Sequence, residues 1–169
     1  MNCRNARVFA FALASLVFAS INPASAQIVA LGHSMVRGNV SESEMWPALL
    51  EGLLHAKGSQ VHVANAGVWG ETTDRTLARV SSDVPQGTRI VILADNPAND
   101  IRHNMSPVQA QANIAAIKTQ LKARGIRVVD ATGTVISIVR SPGGAGPDGR
   151  HLSVEGNKKV AAILAGMVR

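Results

Sequence analysis

Tyrosine is absent, and cysteine occurs once, at Cys3, in a chain of 169 residues. One thiol can close no intrachain disulfide. Cys3 also lies in a segment expected to be removed, so the remaining chain has no thiolate nucleophile and no thiolate metal ligand. Aromatic residues make up only 3%, too few for the stacking platforms that bind single-stranded nucleic acid. Basic residues outnumber acidic ones 17 to 11, but they are scattered rather than gathered into a stripe, so no nucleic-acid partner is indicated. Charged residues are 17% and hydrophobic residues 46%. That balance excludes wholesale disorder and allows one packed core. With few aromatics, the core must rest on Val, Ile, Leu and Ala, which suits a parallel sheet covered by helices.

The first 26 residues read as a leader rather than as fold. Arg4 and Arg7 give a positive start, an apolar run from Val8 to Ile21 follows, and Ala24-Ser25-Ala26 supplies the small residues a signal peptidase accepts. The run is shorter than the roughly 20 apolar residues of a membrane span. The expectation is a signal peptide over 1–26 cleaved after Ala26, a single domain over 27–169, a periplasmic or secreted location, and no stable membrane span after cleavage.

Gln27 to Leu31 is a short apolar run ended by Gly32 and predicts a buried strand. A helix is expected over Ser41 to Ala56, with Trp46, Leu49, Leu50, Leu53 and Leu54 at helical spacing. Val61 to Asn65 predicts a second strand and Thr72 to Val80 a second helix. Arg89 to Ala94 is the clearest strand. Pro107 to Arg124 is a strong helix, with Pro107 in its first turn and Gly125 beyond its end. Ile126 to Ala131 predicts the fourth strand. Thr134 to Val139 is β-branched, which suggests a fifth strand or an extended loop. Ser141 to Gly149 is rich in Gly and Pro and reads as a loop. A last helix is expected from Ser153 to Met167. Alternating strands and helices predict a three-layer α/β/α domain with a mostly parallel sheet of four to five strands, of the flavodoxin-like layer type. Sites in such sheets gather at the C-terminal edge of the strands.

Four short segments fall just after expected strands or before the last helix: Gly32-His33-Ser34-Met35, Asn65-Ala66-Gly67, Pro97-Ala98-Asn99-Asp100 and Asp148-Gly149-Arg150-His151. Singly, each is more often a turn or a helix cap. Together, in this order, they resemble the SGNH/GDSL esterase-lipase family of hydrolases across essentially the whole chain after residue 27. The flanking stretches Trp46-Pro47-Ala48-Leu49-Leu50 and Asn65 to Thr73 share the likeness. Two positions depart from the family pattern: His33 stands where an aspartate precedes the serine, and Pro97 where a glycine opens the third block.

The resemblance implies a serine hydrolase acting on acyl esters or thioesters, of esterase, lysophospholipase or thioesterase type. A carbohydrate O-acetylesterase, or a catalytically degenerate binding protein with the same fold, are the alternatives. It implies Ser34 as nucleophile, His151 as base and Asp148 as its charge partner. It further implies an oxyanion hole from Ser34, Gly67 and Asn99. The chemistry suits these residue types, because a serine hydroxyl needs an adjacent base. Asp148, three residues before His151, can fix the tautomer of the ring. The partner is then a small acyl ester or lipid-like substrate, in a shallow cleft suited to short acyl groups.

Other residues are set against plainer roles. His33 adjoins Ser34, but neighbouring side chains ordinarily diverge, so it is expected to shape the site rather than serve as base. His55 and His62 suit the surface, and His103 a loop. Asp95 and Asp100 have no partners at metal-ligand spacing, so neither a metal nor a cofactor is expected. Trp69 is a candidate wall for an acyl pocket, with packing the equal alternative. Gly143, Gly144 and Gly146 lack the features of a phosphate loop. The G-x-S-x-G elbow of the larger α/β-hydrolases is missing, since Val36 occupies its last position.

Overall fold

The structure is a computed structural model that describes residues 27–168. The leader expected over 1–26 lies outside the described residues. From β1 (Ile28–Gly32) the chain runs through α1 (Ser34–Arg37), a 3-10 turn (Glu42–Glu44) and α2 (Trp46–His55) to β2 (Val63–Gly67). It continues through α3 (Thr73–Ala78), α4 (Val80–Asp83), β3 (Ile90–Ala94), α5 (Ala98–Arg102) and α6 (Pro107–Ala123). β4 (Arg127–Asp130), α7 (Thr132–Val139) and α8 (Val154–Met167) complete it.

The four strands pair in the order β2-β1-β3-β4, every pair parallel. β1 is buried along its whole length. Its side chains alternate between two apolar clusters, as the pleat of a strand requires: Ile28 and Ala30 meet Trp46, Leu50, Val160 and Leu164, while Val29 and Leu31 meet Val80, Ile114, Ile117 and Leu121. Helices therefore cover both faces. β2 lies on one side of β1 and β3 on the other, so the chain's direction of growth reverses at β1. The crevice beyond the C-terminal end of β1 is where a ligand site belongs in such a sheet.

Gly32 closes β1. Its φ is +148°, and a Cβ there would come within 2.2 Å of the Ala94 carbonyl oxygen, so only glycine fits between β1 and β3. Immediately beyond it lies Ser34.

Trp46 ties the layers together. It is fully buried, donates Nε1–H to the Met35 carbonyl at 3.0 Å, and its backbone N–H is accepted by Asn157 Oδ1 at 2.9 Å. Asn157 also donates to the Ser153 carbonyl at 2.9 Å. These buried polar groups are satisfied, and they fix α1 relative to the start of α8.

The segment 134–139 is not a strand or an extended loop. It belongs to α7, and the sheet has four strands. β-branched residues give up only tenths of a kcal/mol each in a helix. Burying Val135 and packing Ile138 and Val139 against the first cluster is worth about 1.5–3 kcal/mol per fully buried side chain, so packing decides. α2 starts at Trp46 rather than Ser41, because Pro47 enters its first turn and the preceding residues form a separate 3-10 turn. No helix among the described residues is long and apolar enough to cross a membrane.

Candidate active site

Ser34 opens α1 directly beyond β1, and His33 caps that helix. The cap is made by the ring: Met35 N–H donates to His33 Nδ1 at 3.2 Å. This turns the imidazole back toward its neighbour, and His33 Nδ1 lies 3.3 Å from Ser34 Oγ. The two side chains thus converge, against the expectation that they diverge. No hydrogen bond among the described residues joins Ser34 to His151.

The loop before α8 builds a carboxylate–imidazole pair. Asp148 Oδ1 accepts the backbone N–H of Arg150 at 2.9 Å and of His151 at 3.0 Å. Its Oδ2 lies 2.6 Å from His151 Nδ1. These bonds, the His151 ring first, hold the Asp148 carboxyl far below the usual carboxylate range. With Nδ1 committed to Asp148, the ring nitrogen left for other work is Nε2. The imidazole also meets the Trp69 indole edge-on, with 4.5 Å between centroids.

Ser34 and His151 line one open cavity of about 580 Å³, together with Asn99, Gly70, Trp69 and Met35. Asn99 is buried; it donates Nδ2–H to the Glu71 carbonyl at 2.9 Å and accepts from Arg102 at 3.0 Å. Gly67 does not line this cavity. Its N–H is given to Asn65 Oδ1 at 3.0 Å, and a Cβ there would sit 2.2 Å from the Arg37 nitrogen. Gly67 is a close-approach glycine between β2 and α1. The glycine that faces Ser34, Asn99 and His151 across the cavity is Gly70, in a left-handed turn at φ +66°.

That turn is held from behind by residues to which the sequence assigned no such role. Arg79 binds both Glu71 carboxylate oxygens, Asp83, and the carbonyls of Ala66 at 2.9 Å and Gly32 at 3.0 Å. Asp100 is fully buried and accepts from Thr73 N–H at 3.0 Å and Thr73 Oγ1 at 2.5 Å, stapling α5 to α3. Glu71 and Arg79 stand eight residues apart, a spacing that signals nothing by itself. Gly70 had a cue, as the second glycine of the Asn65–Thr73 stretch, whereas Arg79 had none.

The remaining candidates are peripheral. His55 Nε2 lies 2.8 Å from the Val61 carbonyl and His62 Nδ1 2.7 Å from Glu51. His103 lines a separate, smaller depression with Thr72 and Arg75. Among the described residues no group of three His, Cys, Asp or Glu side chains is placed to hold a metal ion.

A parallel three-layer sheet, a serine at the end of its first strand and a carboxylate–imidazole pair before its last helix define the SGNH class of α/β proteins. More narrowly, the chain belongs to the GDSL-like lipase/acylhydrolase family, whose family model matches residues 30–169. It is 31% identical over 107 residues to the arylesterase of Vibrio mimicus, covering 63% of this chain and 54% of that protein. It is 27% identical over 116 residues to esterase TesA of Pseudomonas aeruginosa, covering 68% of this chain and 58% of that one. The match therefore spans a little over half the length of these curated relatives. A crystal structure of TesA shares the fold, with a TM-score of 0.72 at 19% identity, covering 84% of this chain and 97% of that one.

Proposed function

We propose that the chain hydrolyses acyl esters or thioesters through an acyl-enzyme on Ser34. The observation that carries this reading is the Asp148–His151 pair, 2.6 Å between Oδ2 and Nδ1, opening on the cavity that Ser34 lines. His151 Nε2 takes the Ser34 proton as the Oγ–carbon bond forms and the carbonyl electron pair moves onto oxygen. The same nitrogen returns the proton to the departing alcohol or thiol, then activates the water that releases the acid. Asp148 holds the tautomer and stabilises the imidazolium. For this the hydroxyl turns from His33 to His151 when substrate enters, in keeping with catalytic bonds that tighten only in the complex.

The oxyanion donors in this reading are the Ser34 N–H, the Asn99 amide and the Gly70 N–H. Gly70 takes the part expected of Gly67, supported by its place in the cavity wall and by the commitment of the Gly67 N–H to Asn65.

The cavity wall also suggests the substrate. It holds Arg102, Arg140 and Arg150 and no carboxylate, and none of the three forms an ion pair among the described residues. The apolar part is Met35, Trp69, Ala98, Ile136 and Val139, in a cavity of about 580 Å³. A cavity of this size with an arginine wall favours short-chain esters that carry a negative group. We also infer export to the periplasm or medium after removal of 1–26.

A fluorophosphonate probe and p-nitrophenyl esters of rising chain length test the reading. Labelling at Ser34, lost in Ser34→Ala, with hydrolysis falling as the acyl chain lengthens, is the expected result. An unlabelled Ser34 in a folded protein that cleaves none of the esters contradicts it.

A further inference from the structure

The Asn99 amide is gripped at both ends, and its two partners agree on which end is which. Its Nδ2–H is donated to the Glu71 carbonyl at 2.9 Å, and its Oδ1 accepts from Arg102 Nη1 at 3.0 Å. A carbonyl oxygen only accepts and a guanidinium only donates. The amide therefore cannot turn over without setting oxygen against oxygen and donor against donor. One Nδ2 proton goes to Glu71. The second is left over, on a buried side chain that lines the cavity with Ser34. The Glu71 end is anchored in turn, because Arg79 binds the Glu71 carboxylate and Glu71 directly follows Gly70. The other end depends on Arg102, three residues along α5, where side chains share a helix face. Arg102 is exposed as a residue, yet its guanidinium reaches this buried oxygen.

We propose that Arg102 is a positioning residue for the oxyanion hole, holding the Asn99 amide with its second N–H ready for the acyl oxygen and making that N–H a stronger donor. The inference rests on the reading of Ser34 as nucleophile and Asn99 as oxyanion donor. During acylation the carbonyl electron pair moves onto oxygen, and a donor already in place for that charge lowers the barrier without rearranging. Arg102 acts on this donor in two ways. Its bond stops the amide from rotating about the end of the side chain. Its positive charge on Oδ1 draws electron density from the amide nitrogen, since hydrogen bonds in series polarise one another. Neither effect needs Arg102 to touch the substrate, so both act on neutral esters as on anionic ones. That sets this role apart from the attraction of charged esters by the arginine wall. The gain falls in the transition state, where the oxygen carries charge, and so in kcat rather than KM.

The test is Arg102→Met and Arg102→Lys, each alone and combined with Asn99→Ala, on neutral p-nitrophenyl butyrate at high salt, where attraction by distant charges is screened. Losing a whole oxyanion donor costs about 10²–10³ in turnover, and losing its positioning should cost a part of that, about tenfold or more in kcat for Arg102→Met with KM within about twofold. Arg102→Lys keeps a charged donor without the rigid fork and should recover part of the rate. In the Asn99→Ala background either Arg102 substitution should change kcat by less than about twofold, because the group it acts through is gone. Urea midpoints report folding, and the cycle is run with both substitutions so that either folded variant decides. Unchanged kcat in a folded Arg102→Met protein overturns the proposal, as does a loss confined to KM or an equal loss with and without the Asn99 amide. If wild type shows no Ser34-dependent turnover, the hydrolase reading fails and this inference with it. If turnover depends on Ser34 but not on Arg102, the positioning role alone fails.

Discussion

The Trp69 indole stands edge-on to the His151 imidazole, with 62° between the ring planes and 4.5 Å between centroids. Trp69 is 48% exposed, so its place is set by this contact more than by burial. An aromatic pair of this kind is worth about 0.5–1.5 kcal/mol. Trp69→Ala should free the ring on its open side and lower kcat/KM for p-nitrophenyl butyrate roughly threefold to tenfold, while Trp69→Phe retains most of it. The melting temperature should barely move, because the side chain supports the site and not the core.

The two candidate glycines separate by different failures. Gly67→Ala drives a Cβ into the Arg37 backbone at 2.2 Å, so it should destabilise the protein in urea. Gly70→Ala meets no atom within 4 Å, though its φ of +66° strains an L residue. It should cost turnover more than stability. Asn99→Ala removes the amide proposed as an oxyanion donor and should lower kcat about 10²–10³-fold.

His33 and Asp95 give opposite pH signatures. Burial pushes His33 from 6.5 down to about 4 and Asp95 from 3.8 up to about 7. Between those limits the folded chain holds a proton on Asp95 that the unfolded chain has lost, and lacks one on His33 that the unfolded chain keeps. Stability rises with pH where the unfolded state binds more protons, so the two contributions oppose each other below 6.5. In Asp95→Asn only the His33 contribution is left, and stability should rise with pH from about 4 to 6.5. In His33→Asn only the Asp95 contribution is left, and stability should fall as pH rises from about 4 to 7. Asp100, Glu71, Arg102 and His151 face this pair as a common background. Urea denaturation at stepped pH reads both slopes.

The arginine wall makes a prediction about charge. An ester with a phosphate or carboxylate on its alcohol side should be cleaved with higher kcat/KM than its neutral analogue at low salt. The ratio should shrink as salt screens the wall, and shrink again in Arg140→Gln and Arg150→Gln. Matched neutral and anionic butyrate esters at two ionic strengths provide the measurement.

The strands at 28–32 and 90–94 were legible because fully buried strands are continuous apolar runs bounded by glycine or polar residues. The Asp148–His151 contact was legible because three residues span one tight turn. α7 was not, since its β-branched residues favour a strand locally and only contact with the core makes it a helix. The turn of His33 toward Ser34 was hidden in the same way, because it depends on capping a four-residue helix that shows no periodicity. Arg79 gathers partners from three separate segments, a convergence that exists only after folding.

Serine-dependent ester cleavage is the claim on which everything else rests, and its most direct measurement is the hydrolysis of p-nitrophenyl butyrate by wild type and by Ser34→Ala at equal folded concentration. Turnover in wild type and a loss of about a thousandfold or more in the variant are the expected result. Equal rates in the two proteins would contradict it.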